Sequence, residues 1–456
     1  MKRLIATAGI AVVLSLGPVT LYAQEDTAGD SDSVFDAMDL GLGIAFGVAS
    51  FEDPDTGEQV TYQALALQPD FGIGKFGLGL DLRINYRLNG GEDGDEFEIR
   101  EEDWEVGDFE EFLEVYLPKF RYLRWGVKGD PLFALFGGFS SATLGTGFLV
   151  NNYSNELFVP DFRIFGGMLD FDGALVGFPY LGIESVIGNV AALDVMGARV
   201  YTRPLAGLSL PLLPALEIGG TVVTDQDPFY HLERDPDAPQ GLSGDEIYMW
   251  GLDVIQPILQ TDAVTLDAFG DLSFQEDRKG GMVGVGGRAA RIVLYGAQVR
   301  AVEDNFVPSF FDGTYDRRRA ERYAIYNELI DVDGYVGWLA RLGVSLFNDG
   351  LVFDNTLAGP FVYTEGAYPE FTSSLLIQEG MIPGLAALSF EASYQKFNIR
   401  EYADLVDVED AIIGAQVNIR SGPVVISLLF DITYDPYAEG DPWVVTSGLE
   451  SSIALQ

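Results

Sequence analysis

The chain contains no cysteine, so disulfides, thiolate metal sites and cysteine nucleophiles are excluded at once. It has one histidine, His231, within DQDPFYHLERDPDAP, a stretch dense in proline and aspartate that reads as a surface loop. Serine–histidine chemistry would have to use it, and neither a nucleophile-elbow motif nor a second histidine accompanies it. Lysine is scarce: beyond position 23 only Lys75, Lys119, Lys128, Lys279 and Lys396 occur. Basic residues number 27 against 70 acidic ones, which disfavours binding of nucleic acid or anionic lipid through a basic surface. Long apolar runs are missing as well. After the N-terminal segment the nearest, Ala206–Val223, is broken by Pro211, Pro214 and Glu217, which argues against a helical membrane protein.

What is present begins with an export signal over 1–23. Lys2 and Arg3 precede the apolar Leu4–Leu16, Gly17 and Pro18 interrupt it, and Ala23 offers a small residue at the cut. The apolar run is short for a membrane anchor. Residues 24–37 read as an acidic leader, and 38–456 as one folded unit, because strand-like segments continue without a linker. Loss of Lys2 and Arg3 would leave 25 bases against 70 acids, a net charge of −45. Low lysine with abundant acid suits a salty medium, where salt screens self-repulsion.

The stretch KFGLGLDLRINYR at 75–87 carries the fold class. Phe76, Leu78, Leu80, Leu82, Ile84 and Tyr86 alternate with Gly77, Gly79, Asp81, Arg83 and Asn85. That is the period of a strand with one apolar and one polar face. Comparable runs recur 19 times. In one, Val264, Leu266, Ala268, Leu272 and Phe274 oppose Thr265, Asp267, Asp271 and Ser273. Others carry Glu391 among Leu388–Lys396 and Asp431 among Val424–Tyr434 on the polar face. Such runs match the ~9–11 residues of a tilted membrane strand better than the ~5–6 of a soluble sandwich. Tyr86, Tyr201, Tyr295, Tyr335, Trp338, Tyr363, Tyr434 and Trp443 stand near run ends, as interfacial aromatics do. The expectation is all-β: a single large antiparallel transmembrane β-barrel of about 16–18 strands.

Two stretches, LFALFGGFSSATLGTGFLVNNYSN (132–155) and NFVPSFFDGTYDRRRAERY (305–323), with the alternating strands between them, resemble an uncharacterised outer-membrane barrel family of spirochaete-like bacteria. The resemblance implies a fold and a location and brings no activity or site. Outer-membrane barrels commonly end on an aromatic residue read by the insertion machinery, whereas this chain ends Ile453-Ala454-Leu455-Gln456.

Function is then read from the polar faces. The pore-lining candidates are Asp81, Arg83, Asn85, Asp267, Asp271, Glu391 and Asp431. Their near balance of charge, with Lys75, Arg87 and Arg420, puts most of the acidity in loops and predicts only a weak cation preference. Arg317, Arg318, Arg319 and Arg322 form the one dense basic cluster. On an inward loop or helix they would make a constriction facing carboxylates. On a surface loop they would pair with Asp316, Glu321 and Glu328. The acidic 89–112 segment lacks the spacing of a calcium loop, so no metal site and no cofactor is expected, and no enzyme. Asn152-Tyr153-Ser154 matches a glycosylation sequon by chance. The expected function is a porin-like outer-membrane channel for small solutes, with lipid and the barrel-insertion machinery as partners. The alternatives are a non-conducting surface or cation-binding barrel, and a hydrophobic-substrate transporter suggested by Phe148–Val150 and Leu205–Leu216.

Overall fold

The computed structural model describes residues 38–52, 59–88, 97–157, 163–230, 244–362, 368–382, 384–385, 387–407, 410–421, 424–434 and 443–453. The expected signal (1–23) and leader (24–37), His231 and the acidic residues 89–96 lie outside them.

Alternation in the sequence becomes inside and outside in three dimensions. On the strand Ile247–Gln260, Tyr248, Trp250, Leu252 and Val254 are exposed while Ile247, Met249 and Asp253 are buried. On Glu217–Asp225, Ile218 and Val222 are exposed and Thr221, Val223 and Asp225 buried. On Val195–Thr202, Val200 faces out and Val195, Arg199 and Tyr201 face in. A soluble sandwich buries its apolar face. Here the apolar face is the outer one, and the charged face turns inward.

Strands adjacent in sequence pair antiparallel from Met38–Glu52 around to Trp443–Ile453, and the last strand lies beside the first. Closing the sheet on itself leaves no edge strand open to solvent or lipid. The sheet has 22 strands among the described residues. Phe76–Leu80 and Leu82–Leu88 are one stave interrupted at Asp81, and Phe97–Ile99 and Phe120–Trp125 together face it, which leaves twenty staves.

Twenty exceeds the expected 16–18 because the 19 alternating runs of the sequence are all staves and one of them, from Val283 to Val302, is two strands, Arg278–Ala289 and Val293–Val302. Their hairpin turns at Ala290 and Arg291, with φ of 50° and 64°. Two left-handed residues make the turn that suits strand twist, but that turn ordinarily carries Asn or Gly. Ala-Arg gives no such signal.

Two long connections, described over residues 138–157 and 303–334, fold into the barrel instead of away from it. They meet as a short parallel pair, Val150–Asn151 with Phe311–Asp312. Phe139, Leu144, Leu149, Val150, Tyr153, Phe310, Phe311, Tyr315 and Tyr326 pack there with Val195, Val223, Ile247 and Met249 of the wall. Inward glycines receive the loops' side chains. A Cβ on Gly197 would come 2.9 Å from Leu144, and one on Gly280 2.4 Å from Phe306. Phe148, Leu149 and Val150, read above as a transporter-like apolar stretch, are spent in this packing.

The inside-out arrangement predicts asymmetric tolerance. Leu252→Arg should lower folding stability in lipid by roughly 2–4 kcal/mol, whereas Gln298→Glu on the inner face should leave it nearly unchanged. Folded fractions from heat-modifiable gel migration after refolding into vesicles measure both, and equal harm would contradict the assignment of faces.

Candidate functional site

The inner wall carries charge that is already neutralised in place. Arg199 gives Nε to Asp253 Oδ2 at 2.8 Å and Nη2 to Oδ1 at 2.6 Å, and reaches Glu184 at 3.2 Å. Arg203 bridges Asp172 at 2.5 Å and Glu217 at 2.8 Å. Arg341 grips Asp354 through Nε to Oδ1 at 3.0 Å and Nη2 to Oδ2 at 2.6 Å. Parallel two-donor pairs, as at Arg199 and Arg341, are the strong form of the arginine–carboxylate bond.

The loop at 143–147 crosses directly over this charge. The Gly145 N–H donates to Glu184 at 3.1 Å, and the Thr146 hydroxyl to Asp271 at 2.6 Å. Gly145 is required: its φ is +55°, and a Cβ would lie 2.8 Å from Arg199 Nε. The second loop is tied to the first where Ser309 Oγ donates to the Gly147 carbonyl at 2.9 Å.

Beneath them lies the densest charge. Arg319, at the start of the helix Arg319–Tyr326, is 2% exposed and meets three aspartates: Asp194 at 2.7 Å, Asp225 at 3.1 Å and Asp316 at 2.7 Å. Tyr315 donates its hydroxyl to Asp225 at 2.6 Å, and Tyr153 donates to Asp316 at 3.3 Å. One guanidinium against three carboxylates leaves negative charge away from water. Burial, with repulsion from Asp194 and Asp225, therefore pushes Asp316 up to about 6 despite the pull of Arg319. Burial and the same carboxylates hold the Tyr153 and Tyr315 phenols well above their usual range.

Between the loops and the opposite wall is a cavity of about 530 Å³. Gly145–Phe148 and Ser309 bound it on the loop side, and Asp267, Phe269, Met282, Gln298, Arg300 and Arg341 on the wall side. The ladder explains the space. Asp267 pairs with Gly286, Gly286 with Gly296 and Gly296 with Arg341, so two neighbouring inward positions have no side chain.

The sequence-stretch candidates are distributed as follows. Asp81 is 8% exposed, meets Arg163 at 3.1 Å, and takes the Lys119 carbonyl through its N–H at 2.7 Å. Asn85 is buried and donates to Asp103 at 2.8 Å, and Arg83 stands between them on the same strand. Asp267 lines the cavity and accepts from Gln260 at 2.9 Å. Asp271 is taken by Thr146 and by Ser273, at 2.6 Å each. Glu391 is exposed, in register with the buried Gln416. Asp431 lies on Val424–Tyr434, and its side chain is outside the described residues. The four arginines share no common face. Arg319 is in the buried knot, Arg322 meets Asp312 at 2.6 Å, Arg318 pairs with Glu321 at 2.7 Å, and Arg317 donates to the Leu157 carbonyl at 3.1 Å. In the acidic segment, Arg87 holds Glu98 at 2.7 Å, and Asp108 caps the helix Phe109–Tyr116. No group of three or more metal-ligating side chains occurs among the described residues.

Arg199, Asp253, Glu184, Arg300 and the Arg341–Asp354 pair were not among those candidates. Each occupies an inward position of an alternating run, so the signal existed in runs whose phase is less regular or, for Arg300, in the merged run.

The chain is thus a closed antiparallel β-barrel with an apolar exterior, a charged interior and two inward loops. No family model and no curated protein matches it, so the spirochaete-like resemblance has no family model behind it. It is similar to the solved structure of Pseudomonas aeruginosa OccK2 (OpdF) at 10% identity and a TM-score of 0.32, over 92% of this chain and 98% of that one. It is also similar to Pseudomonas aeruginosa OpdK with vanillate, at 11% and 0.34 over 92% and 98%. Acinetobacter baumannii OccAB3 gives 11% and 0.31 over 92% and 99%. At this level of similarity no function passes from those proteins to this chain.

The knot makes two predictions. Arg319→Met leaves Asp194, Asp225 and Asp316 without a counter-charge and should destabilise the folded barrel by about 3–5 kcal/mol, read by denaturant unfolding in detergent. The second concerns pH. A carboxyl raised from 3.8 to about 6 holds more protons folded than unfolded. Its stabilising contribution is therefore complete at acid pH and is lost as pH rises through about 6. Asp316→Asn should flatten that fall in thermal midpoints measured between pH 4 and 7; an unchanged slope would reject the assignment.

Proposed function

We propose that this chain is an outer-membrane channel through which small solutes diffuse, along a lumen narrowed by the two inward loops. The observation that carries the reading is the pairing of an apolar outer wall with a charged inner wall that still encloses a cavity of about 530 Å³ at the narrowed level. A wall of this polarity has no use for an aqueous exterior, and its interior has no use for lipid. The segment 1–23 would direct export, the insertion machinery would assemble the barrel, and lipid would surround it.

In this reading Asp81, Arg83, Asn85, Asp267, Asp271, Glu391 and Asp431 belong to the lumen lining. The narrowing comes from the loop pair itself, with Arg318, Arg319 and Arg322 holding the loops in shape more than facing the solute. A weak cation preference for inorganic ions follows because Arg199, Arg203, Arg319 and Arg341 are each neutralised by carboxylates, which leaves no free positive charge on them, while the chain as a whole is acidic.

A second reading is a closed barrel that binds at its surface, favoured by the large buried core between loops and wall. Planar-bilayer recording separates the two. The channel reading expects discrete conductance steps and a reversal potential displaced modestly toward the cation potential under a salt gradient. A folded barrel that never conducts would overturn it, and anion preference would overturn the charge argument alone.

A further inference from the structure

Arginine is used in one recurring way inside this barrel. Arg199, Arg318 and Arg341 each direct the Nε–Nη2 edge at a carboxylate, with N–O distances between 2.6 and 3.0 Å. Arg300 departs from the pattern. It is 6% exposed, and neither Nε nor Nη2 has a hydrogen-bond partner among the described residues. A guanidinium cannot lose its proton to escape this situation, so the edge keeps its charge and its need for an acceptor.

Its surroundings define what that acceptor belongs to. Arg300 lines the cavity on Val293–Val302, in register with Met282 and Gly337. Met282, Phe148, Val302 and Phe306 form an apolar cluster against which Phe269 and Tyr335 pack. Phe148 and Phe306 are stacked at 5.5 Å. Asp271, the carboxylate at the same level two strands away, is occupied by Thr146 and Ser273. Arg199 reaches Asp253 across two strands, but no such contact joins Arg300 to Asp271 among the described residues. Across the missing side chains of Gly286 and Gly296 the cavity is open.

We infer that Arg300 is a binding residue for small organic carboxylates, whose carboxylate takes the unfilled Nε–Nη2 edge and whose apolar body lies on Phe269 and Met282. This rests on the channel reading and names the solute class for it. Nε and Nη2 are buried in this state, so the guanidinium meets the ligand by rotating its outer torsions into the cavity it lines. Leaving the edge unpaired costs free energy, and a carboxylate removes that cost, whereas a neutral isostere does not. The specificity is therefore for the charge and the two-oxygen geometry together. It also coexists with weak cation preference, because the latter concerns ions passing the acidic mouths and the former a buried contact.

The test is isothermal titration of benzoate into the purified full-length barrel in detergent, with benzamide and inorganic phosphate as companions. Benzoate should bind and benzamide should not. Arg300→Gln, checked for unchanged heat-modifiable migration, should weaken benzoate at least about tenfold, and Arg300→Lys should recover part of the loss. Gly296→Leu, which fills the cavity while keeping Arg300, should weaken it as well. Benzoate binding that survives Arg300→Gln, or its absence in the unaltered protein, would overturn the assignment. Phosphate binding more tightly than benzoate would overturn the apolar-body half. Bilayer conductance without benzoate is recorded on the same preparation, so a barrel that binds but does not conduct sinks the channel reading and leaves the binding residue standing.

Discussion

Everything inside this barrel is arranged around the cost of keeping charge away from water. An isolated buried ion is several kcal/mol out of balance even after relaxation, and one removed partner costs more than the pair ever contributed. Arg319 shows what that demands. Its three aspartates arrive from three places: Asp194 from the turn before Val195–Thr202, Asp225 from the end of Glu217–Asp225, and Asp316 from the inward loop. The ion cluster is thereby a tie between wall and loop. If the loop swung outward, Asp194 and Asp225 would lose their shared counter-ion, so the inward position is held by electrostatics as well as by the aromatic packing around Tyr153, Phe310 and Tyr315.

The parts of this arrangement that were legible from the amino acids are those governed by local periodicity. Alternation assigned the faces of Val264–Gln275, whose outward Leu272 is exposed and whose inward Ser273 and Gln275 are fully buried. The boundary between Arg278–Ala289 and Val293–Val302 was not legible, because the turn conformation is imposed on Ala290 and Arg291 by the strands they join. Nor was the destination of the loops. Residues 138–157 hold Gly, Ser, Thr and Asn in the proportions of a surface connection, and only the long-range fit of Leu144 against Gly197 and Leu149 near Gly251 turns them inward. The sequence groups Arg318, Arg319 and Arg322 in one basic cluster, yet Arg318 stands at the cap and the three find separate partners.

Overall acidity says less about the interior than the pairing does. The chain carries 70 acidic residues against 27 basic, and on the inner wall Arg199, Arg203, Arg319 and Arg341 are each matched by at least one carboxylate. Matching has a functional consequence. Arginines held in this way give passing anions little free positive charge to feel, while selection for larger solutes depends on the few positions where matching fails.

Those positions are made by subtraction. At Gly286 and Gly296 the ladder directs side chains at the lumen and the sequence supplies none, and a Cβ there would meet nothing closer than 3.4 Å. Glycine weakens a strand interior by losing both packing and conformational restraint, so two in register on neighbouring strands represent stability forgone in favour of space. The space opens beside Arg300, whose Nε and Nη2 find no acceptor among the described residues. A void alone would admit anything small, and an unpaired guanidinium alone would be an unrelieved cost. Placed together, each accounts for the other: the void lets a ligand reach the charge, and the charge decides which ligand gains by entering.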